Sequence, residues 1–500
     1  MHQGLDGPPA APEWGGWVPA PAGSRYALAM LEQARWPRAA WVPMVAGLFW
    51  LWCAASFGVV GFLFSLIPGC LLLASGVSTL LYPGDLRIPQ YTALGALLGV
   101  PLAMPVLWVA GFGTWAVLEI LSVASFLAAG LVGVAQEPRH ESVPDPEPSL
   151  RLGAEVGIDE ALLATMSLTM VMPRGDRLSK LRHDLHQART LFDSQGWLEK
   201  PADFHLQPPP LENPELRPAS LRGLSYERLR FDSGYEPRPE EPGRERWLGW
   251  QANRTAHAWV LRHENPASPW LVCLHGYQMG FPPIDLAAFE ASRLHRKLGM
   301  NLLFPVLPLH GPRKAGRRSG DFFLAGDPID TLHAEAQAMW DLRRLLSWVR
   351  GQGAETIGVF GLSLGGYQTA LLSSLEDGLA GAVAGIPLTD VSRAVWRHGP
   401  PLYIRFTESQ GVVHEEVAEV LSVVSPLSLR PRVPHPRRYL FGAVADRLVP
   451  VDQVRDLWRH WGEPRIVWYQ GGHVTFRFHA PVRRLLADAF RESGLTAPGG

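Results

Sequence analysis

The sequence predicts a two-part α/β chain: an N-terminal transmembrane helical region, then a mostly parallel sheet with helices on both faces. Three observations predict it. No charged residue occurs from position 39 to 84, and from Trp270 onward short β-rich apolar runs alternate with amphipathic stretches. The length of 500 residues also exceeds the roughly 250 to 300 at which single cores stop growing. Charge is balanced, with 46 Lys plus Arg against 47 Asp plus Glu, which argues against a nucleic-acid partner. The three cysteines, Cys53, Cys70 and Cys273, form no readable disulfide framework.

The run at 39–84 is about twice the ~20 residues of one membrane span, so it reads as a helical hairpin. After Asp85 and Arg87 a second apolar stretch, 91–134, is interrupted only by Glu119 and is long enough for two more spans. Four helices over 39–135 follow. Arg35, Arg38, Arg87 and Arg139 then fall on one side, and the opposite turns, near Gly61 and near Gly111 to Gly113, carry no charge. The positive-inside rule places both termini in the cytoplasm. The expectation is an integral protein of the cell membrane with its polar domain in the cytoplasm. Glu119 is close to the outer interface, where snorkelling explains it better than function does.

Residues 1–38 read as a flexible Pro- and Gly-rich tail and 136–152 as an extended Pro-rich linker. A lead-in at 153–222 begins with a helix over 159–172, carrying Leu162, Leu163, Met166, Met170 and Val171, and continues with a helix over 178–192 and a Pro-rich passage. The first helix is expected on the core of the following domain, with a membrane-surface helix as the alternative.

That domain, 223–494, opens with two antiparallel strands, 226–231 and 255–262. The strand at 270–274 follows, then a helix over 285–298 capped by Asp285 and closed by Gly299. Next come a strand at 301–307, a long helix over 332–350, and a strand at 355–360. Further strands are expected at 380–386, 438–442 and 465–469, with helices at 452–461 and from Pro481. The stretch 391–429 is too long for a simple connection and is read as a cap.

Directly after the strand ending at Phe360 come Gly361, Leu362, Ser363, Leu364 and Gly365, then a helical run. A strand that reverses into a helix within so few residues forces the serine into a strained conformation, and flanking glycines remove Cβ atoms that would collide. The serine oxygen then projects above the sheet at a helix N-terminus, which favours negative charge developing nearby.

Over about residues 225 to 493 this pattern resembles the α/β-hydrolase superfamily of serine esterases and lipases. The resemblance implies Ser363 as nucleophile, an acid after a late strand and a histidine after the last one. Asp446 and His473 occupy those places. Imidazole, near pKa 6.5, takes a proton at neutral pH, and a carboxylate fixes its tautomer. Asp390, also in a loop after a strand, stays open as an alternative acid, and His479 is read as structural. The run Leu274, His275, Gly276, Tyr277 looks like the family's HG loop, which with the residue after the nucleophile implies the backbone N–H groups of Tyr277 and Leu364 as oxyanion donors.

His275, Gly276, His310 and Arg313 are expected to line the site, with His310 and His275 bracing loops. Arg313, Lys314, Arg317 and Arg318 either bind a phosphate or carboxylate of the substrate or form a solvated loop. Trp396, Tyr403, Ile404 and Phe406 of the cap select an apolar group or form the cap's own core. No metal-ligand spacing and no cofactor motif is present. The expected function is a membrane-anchored serine hydrolase (EC 3.1 class) cleaving a small-molecule or lipid ester or thioester through an acyl-serine. An acyltransferase or peptidase with the same triad is the alternative enzyme, and a non-catalytic membrane interaction module the alternative of another class.

Overall fold

The computed structural model describes residues 37–169, 172–173, 175–265, 267–324 and 326–496. The tail expected at 1–38 lies almost wholly outside them, as do Met170 and Val171. Helix α1 spans Pro37–Ser56, α2 Gly58–Leu81 and α3 Ile88–Gln136, and all three are long and apolar enough to cross a membrane. Gly76 of α2 packs on Met44 of α1 and Gly69 on Leu51, so the two helices are antiparallel. Their reversal falls at Phe57 and Gly58, earlier than Gly61, because Gly58 supplies the left-handed φ of 60°.

Within α3 the backbone leaves helical values at Gly111, φ 81° and ψ 169°, dividing it into two rods. The rods fold back on one another, since Gly99 of the first meets Ser122 of the second. Trp50 of α1 donates to that same Ser122 at 3.3 Å. Trp108 and Phe112 are exposed, and Glu119 is half-buried.

Helix α4, Leu150–Thr169, begins inside the segment expected to be linker. Its Gly153 and Gly157 pack against Gly130, Phe126 and Leu131 of α3, small residues letting the backbones approach closely. Helix α5, Asp176–Ser194, buries Leu178, Leu181, Leu185 and Phe192 on the main core.

Nine strands form one sheet: β1 Glu215–Leu221, β2 Leu224–Asp232, β3 Thr255–Leu261, β4 Trp270–Leu274, β5 Asn301–Val306, β6 Ile357–Leu362, β7 Gly381–Gly385, β8 Arg438–Ala443 and β9 Arg465–Tyr469, in the order β1-β2-β3-β5-β4-β6-β7-β8-β9. The first three strands run antiparallel, and β5, β4 and β6 to β9 are parallel. Strand β1 falls in the Pro-rich passage and went unpredicted. Pro218 is tolerated there because β1 is an edge strand, where a missing N–H breaks no inner ladder.

Between the strands lie helices α6 Pro282–Ala288, α7 Pro328–Gly351, α8 Leu364–Leu375, α9 Val391–His398, α10 Pro401–Ser409, α11 His414–Leu421, α12 Val451–His460 and α13 Ala480–Glu492. The helix expected over 285–298 is instead α6 followed by a separate π turn, Arg293–Lys297. Asp285 caps nothing: it is buried inside α6 and accepts from Trp259 Nε1 at 2.9 Å and from the Gly280 N–H at 3.0 Å. One apolar core, with Leu303, Val359 and Leu371, fills one face of the sheet, and a second, with Leu302, Phe360 and Phe441, fills the other. With helices on both faces and two antiparallel strands leading the parallel set, this is the α/β-hydrolase fold, extended by β1 at one edge.

Candidate active site

Ser363 is the single residue between β6 and α8, with φ 57° and ψ −115°. A non-glycine residue there carries strain of about 1–3 kcal/mol, which the surroundings offset. Its N–H donates to Gly385 O at 2.9 Å, and its carbonyl accepts from Tyr367 at 3.1 Å and Leu388 at 3.2 Å. The glycines are required by close approach: a Cβ on Gly361 would collide with the Gly365 carbonyl, and one on Gly365 with the Leu274 carbonyl of β4.

Two loops at the same sheet edge bring Asp446 and His473 together. Asp446 Oδ1 accepts the N–H groups of Leu448 at 3.0 Å and Val449 at 2.8 Å, and its Oδ2 accepts from His473 Nδ1 at 2.6 Å. The carboxylate thus fixes the proton on Nδ1 and leaves Nε2 to accept another. Burial pushes the imidazole's pKa down, but the charge and hydrogen bond of Asp446 and the charge of Asp159 outweigh it, and His473 ends above its ordinary value. Asp390 caps α9 instead, accepting from Arg393 N–H at 2.9 Å and Ser392 Oγ at 2.7 Å. His479 is buried against Glu155 at 2.9 Å, the structural place expected for it.

Ser363 and His473 line one cavity of about 380 Å³, together with Gly276, Tyr277 and Leu364. Leu364 is the first residue of α8, where an N–H has no carbonyl four residues back within the helix. The Gly276 N–H is directed at Met279 Sδ, 3.2 Å away. Val391, Ala394 and Val395 of the cap form one wall, Met279, Ile284 and Leu324 contribute further apolar surface, and Leu162, Leu163, Thr165, Met166 and Ser167 of α4 form another wall. His398 ties α9 to the Asp446 loop through Nε2 and Leu448 O, 2.9 Å, and burial lowers its pKa to about 3. A serine hydroxyl, an imidazole with an oriented proton and an apolar chamber are groups that acyl transfer can use.

Several expected site residues lie elsewhere. His275 is outside the cavity wall: Leu307 N–H donates to its Nε2 at 3.1 Å, so Nδ1 carries the proton and donates to Gly276 O at 2.8 Å, a neutral brace. His310 is likewise buried, bonded to Pro308 O at 2.9 Å and packed on Tyr277 and His275. Arg313 is fully buried and ion-paired with Asp341 at 2.8 Å, with Val306 O and Asn253 O taking further N–H groups, so it holds the sheet to its loops and faces no ligand. Lys314, Arg317 and Arg318 are likewise outside the cavity lining. Among the described residues the arginine that does line it is Arg477. The cap aromatics are turned away, with Trp396 donating to Glu408 and Tyr403 to Pro173 O, because aliphatic residues of α9 fill the inner face.

The wall from α4 is what the sequence concealed. The periodicity of Leu162, Leu163 and Met166 was readable, but which surface a helix covers depends on long-range docking. The three buried acids Glu155, Asp159 and Glu160 on one apolar helix were the available signal.

No family model matches the chain. Two curated proteins are similar to it over 364 residues, a stretch longer than the sheet domain: "Uncharacterized protein MT2702" of Mycobacterium tuberculosis (strain CDC 1551 / Oshkosh), 43% identical, and "Uncharacterized protein Rv2627c" of Mycobacterium tuberculosis (strain ATCC 25618 / H37Rv), 42% identical, each covering 72% of this chain and 87% of the relative. Among solved structures, acetyl xylan esterase 1 from Thermoanaerobacterium sp. JW/SL YS485 superposes with a TM-score of 0.44 at 17% identity, over 60% of this chain and 94% of that one. Acylaminoacyl peptidase of Pyrococcus horikoshii gives 0.36 at 16% identity, over 56% and 42%.

Proposed function

We propose that this chain, which belongs to the family of the two Mycobacterium tuberculosis proteins and has the α/β-hydrolase fold, is a membrane-anchored serine hydrolase of acyl esters or thioesters. The observation that carries the reading is the 2.6 Å hydrogen bond from the buried Asp446 to His473, which lines the same cavity as Ser363. Ser363 Oγ attacks the acyl carbonyl and passes its proton to His473 Nε2. The N–H groups of Tyr277 and Leu364 receive the oxyanion. Collapse expels the alcohol or thiol, protonated by His473, and leaves an acyl-serine. Water, deprotonated by the same imidazole, then releases the carboxylic acid and restores the serine.

The aliphatic walls favour an acyl chain over a polar substrate. Helices α1 to α3 anchor the domain, and the arginine distribution favours a cytoplasmic site. The reading is tested with a series of p-nitrophenyl esters of increasing acyl length on the full chain in detergent. Hydrolysis is expected to fall by about 10⁴-fold or more in Ser363→Ala. Turnover unchanged by that substitution would refute it.

A further inference from the structure

Helix α4 turns Glu155, Asp159 and Glu160, all buried, toward the loops of the proposed triad. Two of these acids are matched in kind. Glu155 binds Arg151, His479 and Thr475, and Glu160 pairs with Arg447 at 2.6 Å. Asp159 is different: among the described residues no ion pair forms with it. Its Oδ2 accepts the backbone N–H of His473 at 2.7 Å and that of Arg447 at 3.3 Å, residues 314 and 288 positions away in the chain. Its Oδ1 is buried with no hydrogen-bond partner. Burial first, and then the charge of Asp446, push its pKa up to about 8.

A carboxyl group held in such surroundings opposes folding unless its contacts return something. The contacts it makes are specific. One amide belongs to the proposed base and the other to the residue that follows the proposed acid. The same loop is gripped a second time from the same side, because the buried Arg447 guanidinium also binds Glu137, at the end of α3, and Glu137 binds Arg397 of the cap. We propose that Asp159 is a positioning residue of the active site, tying the loop of Asp446 to the loop of His473 from a helix packed on the membrane segment. The α3 and α4 unit is then part of the catalytic apparatus as well as its anchor. This rests on the serine-hydrolase reading above.

The test uses the full chain in detergent, with a p-nitrophenyl ester and a fluorophosphonate probe, on wild type, Asp159→Asn and Asp159→Ala. Asparagine keeps an oxygen that can accept both amides, and alanine keeps none. Asp159→Ala is expected to lose about 100-fold in kcat at unchanged KM, the cost of about 1 Å of misplacement, while Asp159→Asn stays within a few-fold of wild type. Wild-type kcat in Asp159→Ala would overturn the inference. So would a parallel loss in both variants accompanied by a lowered melting temperature, which marks a purely structural role. Failure of the wild type itself to label or turn over would instead refute the serine-hydrolase reading, so the two failures are distinguishable.

Discussion

His473 and Asp446 share a 2.6 Å hydrogen bond, and Asp390, the other carboxylate open to the same role, is committed to the N-terminus of α9. Asp446→Asn is therefore expected to lower kcat by about 10⁴-fold, as removal of an orienting carboxylate does. Asp390→Asn should change kcat by less than about 10-fold, since an N-cap is worth about 1 kcal/mol of stability. Steady-state kinetics on the two variants decide it, and the reverse ranking would reassign the acid.

The pH profile follows from the imidazole. Its pKa is raised above the ordinary 6.5: burial lowers it, and Asp446 and Asp159 together outweigh burial. Only the neutral ring accepts the serine proton, so kcat/KM should be full at high pH and fall as pH drops through a value above 6.5. In Asp446→Asn, where the imidazolium loses its counter-charge, the residual activity should show this limb displaced to lower pH. A wild-type limb below 6.5 would contradict the arrangement.

Arg447 is buried between Glu160 and Glu137. Arg447→Met leaves carboxylates buried without their cation and should destabilise the protein by about 3–5 kcal/mol. Adding Glu160→Leu should recover a substantial part, because the unpaired charge then goes too. Thermal unfolding of both variants in detergent measures this, and a double variant no more stable than the single would refute a pairwise role.

Membrane topology is testable independently. The reversals at Gly58 and Gly111 lie at the end of the helical bundle opposite Arg87. A reporter that is active only outside the cytoplasm, fused after Arg151, should be silent, and the same reporter inserted at Gly111 should be active. The opposite pattern would place the site outside.

Much of this was legible in the sequence because it is local. Gly361, Ser363 and Gly365 announce a strand-to-helix reversal within five residues, and the strands Trp270–Leu274 and Arg465–Tyr469 are as the periodicity gives them. What escaped was set by distant partners. Nothing near Arg313 in sequence reveals that Asp341 neutralises it, and nothing near Asp159 reveals that it meets His473. Strand β1 lay within the Pro-rich passage, where Pro218 is permitted by its place at the sheet edge.

The most direct measurement of the central claim is mass-spectrometric mapping of a fluorophosphonate adduct on the full chain. A single adduct on the peptide containing Ser363, lost in Ser363→Ala and strongly slowed in a His473→Ala variant, is the expected result. An intact wild-type protein that forms no adduct, or one modified equally in Ser363→Ala, would contradict it.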